Sequence, residues 1–99
     1  MEIKQETIEN TGRFYIEEGN HTVAELYYHF TDKNTLLITH TEVSESLGGK
    51  GIGRQLVSAA VDYARKNSFM IKATCPFAKK VLDRTPEFAD VYTTEKNKS

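Results

Sequence analysis

The chain has 99 residues, with 13 Lys and Arg against 14 Asp and Glu, for a formal net charge of −1. That length is one domain, and 38% hydrophobic content with five Phe and five Tyr supports a packed core rather than a disordered chain. No apolar run exceeds three residues, as at Leu36-Leu37-Ile38, which excludes a bilayer-spanning helix; the start Met1-Glu2-Ile3-Lys4 reads as no signal peptide, and Cys75 stands alone, which points to a reducing, cytoplasmic setting.

The first forty residues read as strands and turns. Phe14-Tyr15-Ile16 is β-prone and runs into the turn signal Glu18-Gly19-Asn20. Thr22–Phe30 alternates, with Val23, Glu25 and Tyr27 on one face and Ala24, Leu26, Tyr28 and Phe30 on the other. After the turn Asp32-Lys33-Asn34, Leu36–Val43 starts with apolar residues on both faces, the pattern of a central strand covered on both sides. Short turns between three β-prone runs predict an antiparallel meander.

The character then changes. Residues 44–53 are polar and glycine-rich, and 54–67 follow a helical period through Leu56, Ala60, Tyr63 and Ala64. Arg54, Asp62, Arg65 and Lys66 take its exposed face, with Asn67 at its C-terminal cap. Phe69–Ala73 is a short strand, so the strand–helix–strand order predicts a parallel crossover with Leu36–Val43. Cys75-Pro76 opens a second helix with an apolar stripe of Phe77, Val81 and Leu82, ending before Thr85-Pro86. Phe88, Val91 and Tyr92 pack a closing segment, and residues 93–99 read as a frayed tail. The expected fold class is α/β (α+β): a single domain over 1–99 with its core in 12–92, and a mainly antiparallel sheet with one βαβ crossover and two helices.

The most specific feature is Gly48-Gly49-Lys50-Gly51-Ile52-Gly53, between a strand and a helix. Glycines leave backbone N–H groups uncovered, and at a helix N-terminus such groups hold phosphate oxygens. Neither a Walker loop nor a dinucleotide fingerprint fits, because Gly53 is followed by Arg54-Gln55 and the third glycine of the fingerprint would fall on Arg54.

The succession of meander, strand, Gly-x-Gly-x-Gly loop, helix and parallel strand resembles the GNAT-superfamily N-acetyltransferases. His40-Thr41-Glu42-Val43 through the glycine loop to Val57, then Cys75-Pro76-Phe77 and Pro86-Glu87-Phe88-Ala89-Asp90, is similar to the small acetyltransferase-like branch of that superfamily over residues 12–92. The resemblance implies that Gly49, Lys50, Gly51, Ile52 and Gly53 hold the pyrophosphate of coenzyme A. It also implies that the strand end around Glu42 and Val43 binds the pantetheine chain of acetyl-CoA and polarises the thioester. Gly48, Arg54, Cys75, Phe77 and Lys80 complete the candidate cofactor-binding set, with Lys79 or Arg84 as further contacts to the outer phosphates. This chain departs from the superfamily in having Gly48 where Arg or Gln is usual, and in lacking the helices that help to hold the acceptor.

Acetyl transfer needs a neutral amine, a polarised carbonyl and a proton for the departing thiolate. Cys75, at a strand end and helix start, is a candidate acid or nucleophile; its alternative is a buried structural cysteine. His40 and Glu42 share a strand face and are candidate bases; the alternative is a cross-strand polar pair or a hydrogen-bonded core histidine. The three His have no ligand spacing with the single Cys, so no metal is expected, and neither nucleic acid nor membrane is expected as a partner. The expected activity is acetyl transfer from acetyl-CoA to an unknown amine; the alternatives are a non-catalytic CoA-binding regulatory module and a small interaction domain whose glycine loop is only a turn. The charge divides at the loop: residues 1–47 carry a net −6 and residues 48–99 a net +5, which suits an anionic ligand on the second half.

Overall fold

The computed structural model describes residues 2–93. Five strands, Lys4–Ile8 (β1), Thr11–Glu18 (β2), His21–Asp32 (β3), Thr35–Val43 (β4) and Met70–Ala73 (β5), form one sheet in sequence order. β1 to β4 are antiparallel neighbours, and β5 lies parallel to β4. The crossover between the parallel pair is helix Ile52–Asn67 (α1), and a second helix, Pro76–Arg84 (α2), follows β5. The α/β expectation of a mainly antiparallel sheet with one crossover and two helices holds.

The pleat decides where the core sits. Phe14 and Ile16 of β2, Ala24, Leu26 and Tyr28 of β3, Leu36 and Ile38 of β4, and Ile71 of β5 are buried on one face. Leu56, Val57, Ala60, Val61 and Ala64 of α1 and Ala78, Val81 and Leu82 of α2 close over them. Five rings brace the far end of α1, among them Phe14–Tyr28 at 5.6 Å, Phe30–Phe69 at 5.2 Å and Tyr63–Phe69 at 5.7 Å between centroids. Such ring pairs add ~0.5–1.5 kcal/mol each beyond their buried area. Gly12 is needed for this packing, since a Cβ there would lie 2.4 Å from Tyr28 Cζ. Gln5 Nε2 donates to the Tyr28 hydroxyl at 2.9 Å.

Several sequence expectations are corrected. β1 is an additional edge strand whose five residues are all exposed, so no apolar alternation marks it. β4 is flanked by two strands but not covered on both faces: Leu36 and Ile38 are buried, whereas Leu37 is half-buried and His40 and Glu42 are exposed on the opposite side. α1 starts at Ile52 rather than at residue 54, because Gly51 takes the left-handed N-cap conformation (φ 70°). Its C-terminus is closed by Ser68 (φ 61°), not by Asn67, whose side chain donates to Tyr63 O at 2.9 Å. Phe77 is not part of the buried stripe of α2; it is 42% exposed, and Ala78 is buried in its place.

The closing segment is held from both sides. Ile71 N donates to Val91 O (2.6 Å) and Thr93 N to Ile71 O (2.8 Å), which lays the segment alongside β5. Arg65 donates from Nε to Asp90 Oδ2 (2.9 Å), from Nη2 to Asp90 Oδ1 (2.8 Å) and from Nη2 to the carbonyl of Glu87. The Arg65 guanidinium holds the Asp90 carboxyl below the usual carboxylate range. Of the expected frayed tail, residues 94–99 lie outside the described residues.

Candidate active site

The site begins where β4 and β5 part. Their pairing runs only from Thr35↔Met70 to Ile38↔Ala73. Thr74 N and Cys75 N then both donate to Ile38 O, at 3.0 and 3.3 Å, and the chain turns away into α2. β4 continues to Val43 with no strand on that side among the described residues. A bulge helps the parting: Tyr28 faces Ile38 and Tyr27 faces His40, so Thr39 has no opposite residue. Beyond the bulge, Ser44 N donates to Val23 O. Strand alternation therefore turns the amides of Glu42 and Ser44 toward β3 and those of Thr41 and Val43 toward the gap that β5 has left.

Both helices follow parallel strands, so both N-termini open at this end of the sheet, the usual place for ligands in such sheets. Between β4 and α1, Leu47 is buried and anchors a single 3-10 turn, Glu45–Leu47. Gly49 (φ 81°) and Gly51 (φ 70°) then take left-handed conformations that L side chains rarely adopt. A Cβ at either would meet nothing within 4 Å, so conformation rather than crowding selects glycine, and the space beside the loop is open. The first helical bond is Gln55 N to Gly51 O at 3.0 Å, no side chain caps α1, and no acidic residue lies in its first turn. The leading amides of α1 thus remain open donors, with Lys50 and Arg54 exposed beside them.

Gly53 has a different role from its neighbours. A Cβ there would lie 2.6 Å from Phe77 Cζ, so its bareness lets the Phe77 ring sit against the first turn of α1. Phe77 joins the two helix N-termini. Gly48 (φ −62°) ends the 3-10 turn by donating to Glu45 O at 3.0 Å. Lys79, Lys80 and Arg84 are exposed on α2.

Cys75 is the N-cap of α2, 6% exposed, with Sγ 3.4 Å from Thr41 Oγ1. Thr41 pairs with Leu26 and so lies on the helix side of the sheet. His40 pairs with Tyr27 and points to the other side, with Nε2 3.3 Å from Glu42 Oε1. The structure therefore brings Cys75 to Thr41 and His40 to Glu42, but places the two pairs on opposite faces of β4. An open cleft of about 350 Å³ lies at the end of β3 and β4, lined in part by Glu25, Glu42, Val43 and Glu45. Glu25 facing the Tyr27 hydroxyl, with burial adding to it, raises that phenol above its ordinary range. Thr41 carried no sequence signal as a site residue, because the bulge that sets its face has no residue pattern of its own; the alternation of β3 gave the face of Tyr27 but not its place opposite His40. Among the described residues no three His, Cys, Asp or Glu gather to suit a metal ion.

Known proteins resemble this chain in sequence and fold. The family model of GCN5-related N-acetyltransferases covers residues 13–91. Protein NATD1 of Xenopus tropicalis is 32% identical over 68 residues, 69% of this chain and 62% of NATD1; the chain thus spans less than two thirds of the length of that relative. The solution structure of a GCN5-like N-acetyltransferase candidate from Staphylococcus aureus is 42% identical, with a TM-score of 0.71, covering 93% of this chain and 87% of that one. AAC(6')-Iy, bound to the bisubstrate analogue CoA-S-monomethyl-acetylneamine, shares the fold at 11% identity with a TM-score of 0.55, covering 77% of this chain and 60% of that one. With the parted parallel strands, the glycine loop and 79 of 99 positions inside the family model, this chain belongs to the GCN5-related N-acetyltransferase family.

Proposed function

We propose that this chain is a CoA-dependent acyltransferase that moves an acetyl group from acetyl-CoA to an amine. The observation that carries the reading is the gap between β4 and β5, which has the open amides of α1 at one edge and Cys75 at the other. The residues present fit the group: the loop is open where phosphates would lie, and Lys50 and Arg54 supply positive charge. Gly49, Lys50, Gly51, Ile52 and Gly53 would hold the pyrophosphate, with Gly48 setting the loop's entry and Lys80 near the outer phosphates. The bound cosubstrate supplies an activated acetyl thioester.

The chain's own groups do the rest. The amides of Thr41 and Val43 donate toward the thioester carbonyl. The Cys75 thiol, held by Thr41 Oγ1, gives its proton to the departing thiolate. His40 Nε2, with Glu42 beside it, takes the proton of the acceptor ammonium on the opposite face. Cosubstrate and acceptor would thus meet from two sides of one strand. The lone Cys75 suits a reducing, cytoplasmic compartment.

A melting experiment with acetyl-CoA tests the reading. A ligand at a hundred times its Kd stabilises the folded state by about 2.7 kcal/mol, so a clear rise in Tm is expected. Gly51→Val should abolish that rise. No shift in the unsubstituted protein refutes CoA binding, and a shift without thiol release across polyamines, amino acids and peptides identifies a non-catalytic binding module.

A further inference from the structure

The sheet face away from the helices is laid out in register. One row across β1 to β4 reads Glu6, Arg13, Tyr27, His40, and the next reads Lys4, Tyr15, Glu25, Glu42. Arg13 ties the rows together. Its Nε donates to Glu6 Oε2 at 2.7 Å, its Nη1 donates to Glu25 Oε1 at 3.0 Å, and its guanidinium lies 3.9 Å from the Tyr15 ring centroid. The Arg13 and Glu25 side chains are 19% and 20% exposed, so this ion pair is sheltered and its geometry held. Tyr27 pairs directly with Arg13 across β2 and β3 and shares its strand face with Glu25, two residues away. The Tyr27 ring lies 6.0 Å from the His40 ring, tilted by 37°.

His40 has little else to orient it. Its side chain is 55% exposed, and Glu42, its hydrogen-bond partner among the described residues, is 68% exposed. It also follows Thr39, the unpaired residue of the bulge, where the ladder is interrupted. An imidazole in that position samples several rotamers unless a neighbour removes them. Tyr27, directly across the strand pair, is the neighbour placed to do so.

We infer that Tyr27 is a positioning residue for His40, held in turn by the Arg13–Glu25 pair, so that the uncovered sheet face presents an oriented base to the acceptor amine. This rests on the reading of His40 as the acceptor-side base. Tyr27 acts on the proton acceptor and has no part in holding the cosubstrate.

The experiment compares Tyr27→Leu, Tyr27→Phe, His40→Ala and the double variant Tyr27→Leu/His40→Ala. Tyr27 is 39% exposed, so these chains should fold, which melting curves check. Loss of a general base costs about a hundredfold or more in kcat. Loss of its orientation should cost roughly tenfold in kcat for Tyr27→Leu, with the Kd for acetyl-CoA unchanged. Tyr27→Phe, which keeps the ring, should restore most of that loss. The double variant should lose no more than His40→Ala alone, because Tyr27 has nothing left to orient. Multiplied losses overturn the inference, as does a full loss in Tyr27→Phe. The His40 side-chain rotamers, read from Hα–Hβ couplings in proton spectra, give an answer that needs no turnover. One rotamer should dominate in the unsubstituted protein and in Tyr27→Phe, and several should mix in Tyr27→Leu. If the unsubstituted protein acetylates no amine, the functional reading fails, and the couplings still decide: averaged couplings in Tyr27→Leu support the positioning role, and unchanged ones overturn it.

Discussion

The packing of Phe77 on Gly53 makes a quantitative prediction. In Gly53→Ala the new Cβ would sit 2.6 Å from Phe77 Cζ, against 3.4 Å for ordinary contact, so the ring must retreat by roughly 0.8 Å. Phe77 is 42% exposed, so it swings outward and the core stays in place. Exposing on the order of 40 Å² of ring costs about 1 kcal/mol. Alanine gains at most ~1 kcal/mol over glycine within a helix, and less in its first turn. The net change in stability should therefore fall within about 1 kcal/mol of zero. The two terms separate in a cycle with Phe77→Ala. Without the ring, Gly53→Ala should become stabilising, giving a coupling of about 1 kcal/mol. Urea denaturation followed by circular dichroism measures all four stabilities. Calorimetry on the same proteins should show a weaker Kd for acetyl-CoA in Gly53→Ala, because the displaced ring lies between the two helix N-termini. A loss above about 2 kcal/mol that persists in the Phe77→Ala background would refute the reasoning, since the backbone rather than the ring would then be the obstacle.

Other outcomes follow from the same structure. Gly12→Ala pushes a Cβ into the buried Tyr28 ring, which cannot swing out, and should cost about 1–3 kcal/mol in thermal or urea unfolding. Tyr92 has its pKa pushed up to about 12 by burial, with Asp83 adding to it. Folding therefore favours the neutral phenol: this contribution is full below pH 10 and lost as pH rises toward 12, a decline that Tyr92→Phe should remove from alkaline unfolding curves. Asp90 is lowered by its hydrogen bond with Arg65, so its contribution is present above the usual carboxylate range and lost as pH falls through the folded value. Asp90→Asn should flatten the acid side of the stability profile.

Much of the fold was legible because burial leaves a period in the residues. The alternation in β3 placed Ala24, Leu26 and Tyr28 inward, and the spacing of Leu56, Ala60 and Ala64 placed α1 on the core. β1 was invisible because an exposed edge strand, Lys-Gln-Glu-Thr-Ile, has no buried face to impose a pattern. The run Leu36-Leu37-Ile38 overstated coverage, since three apolar neighbours need only one buried face when the middle one is half-exposed. At the site, the glycine loop could be read from composition, but not that Gly49 and Gly51 answer to backbone conformation while Gly53 answers to a ring from another helix. The separation of His40 from Cys75 depends on strand faces and on where the bulge falls, and that was not predictable from spacing. Arg65 read as a helix-end surface charge, whereas it clasps Asp90 of a segment 25 residues onward.

The parting of β4 from β5 also divides one strand into two dynamic classes. Through Ile38 the strand lies between two hydrogen-bonded partners, whereas from Thr41 to Val43 it has one. Amide hydrogen exchange should therefore step within β4: slow at Leu36 and Ile38, limited by opening of the whole domain, and fast at Thr41 and Val43. A bound pantetheine chain would take the place of the missing strand, and occupancy would then be visible as new exchange protection at two amides.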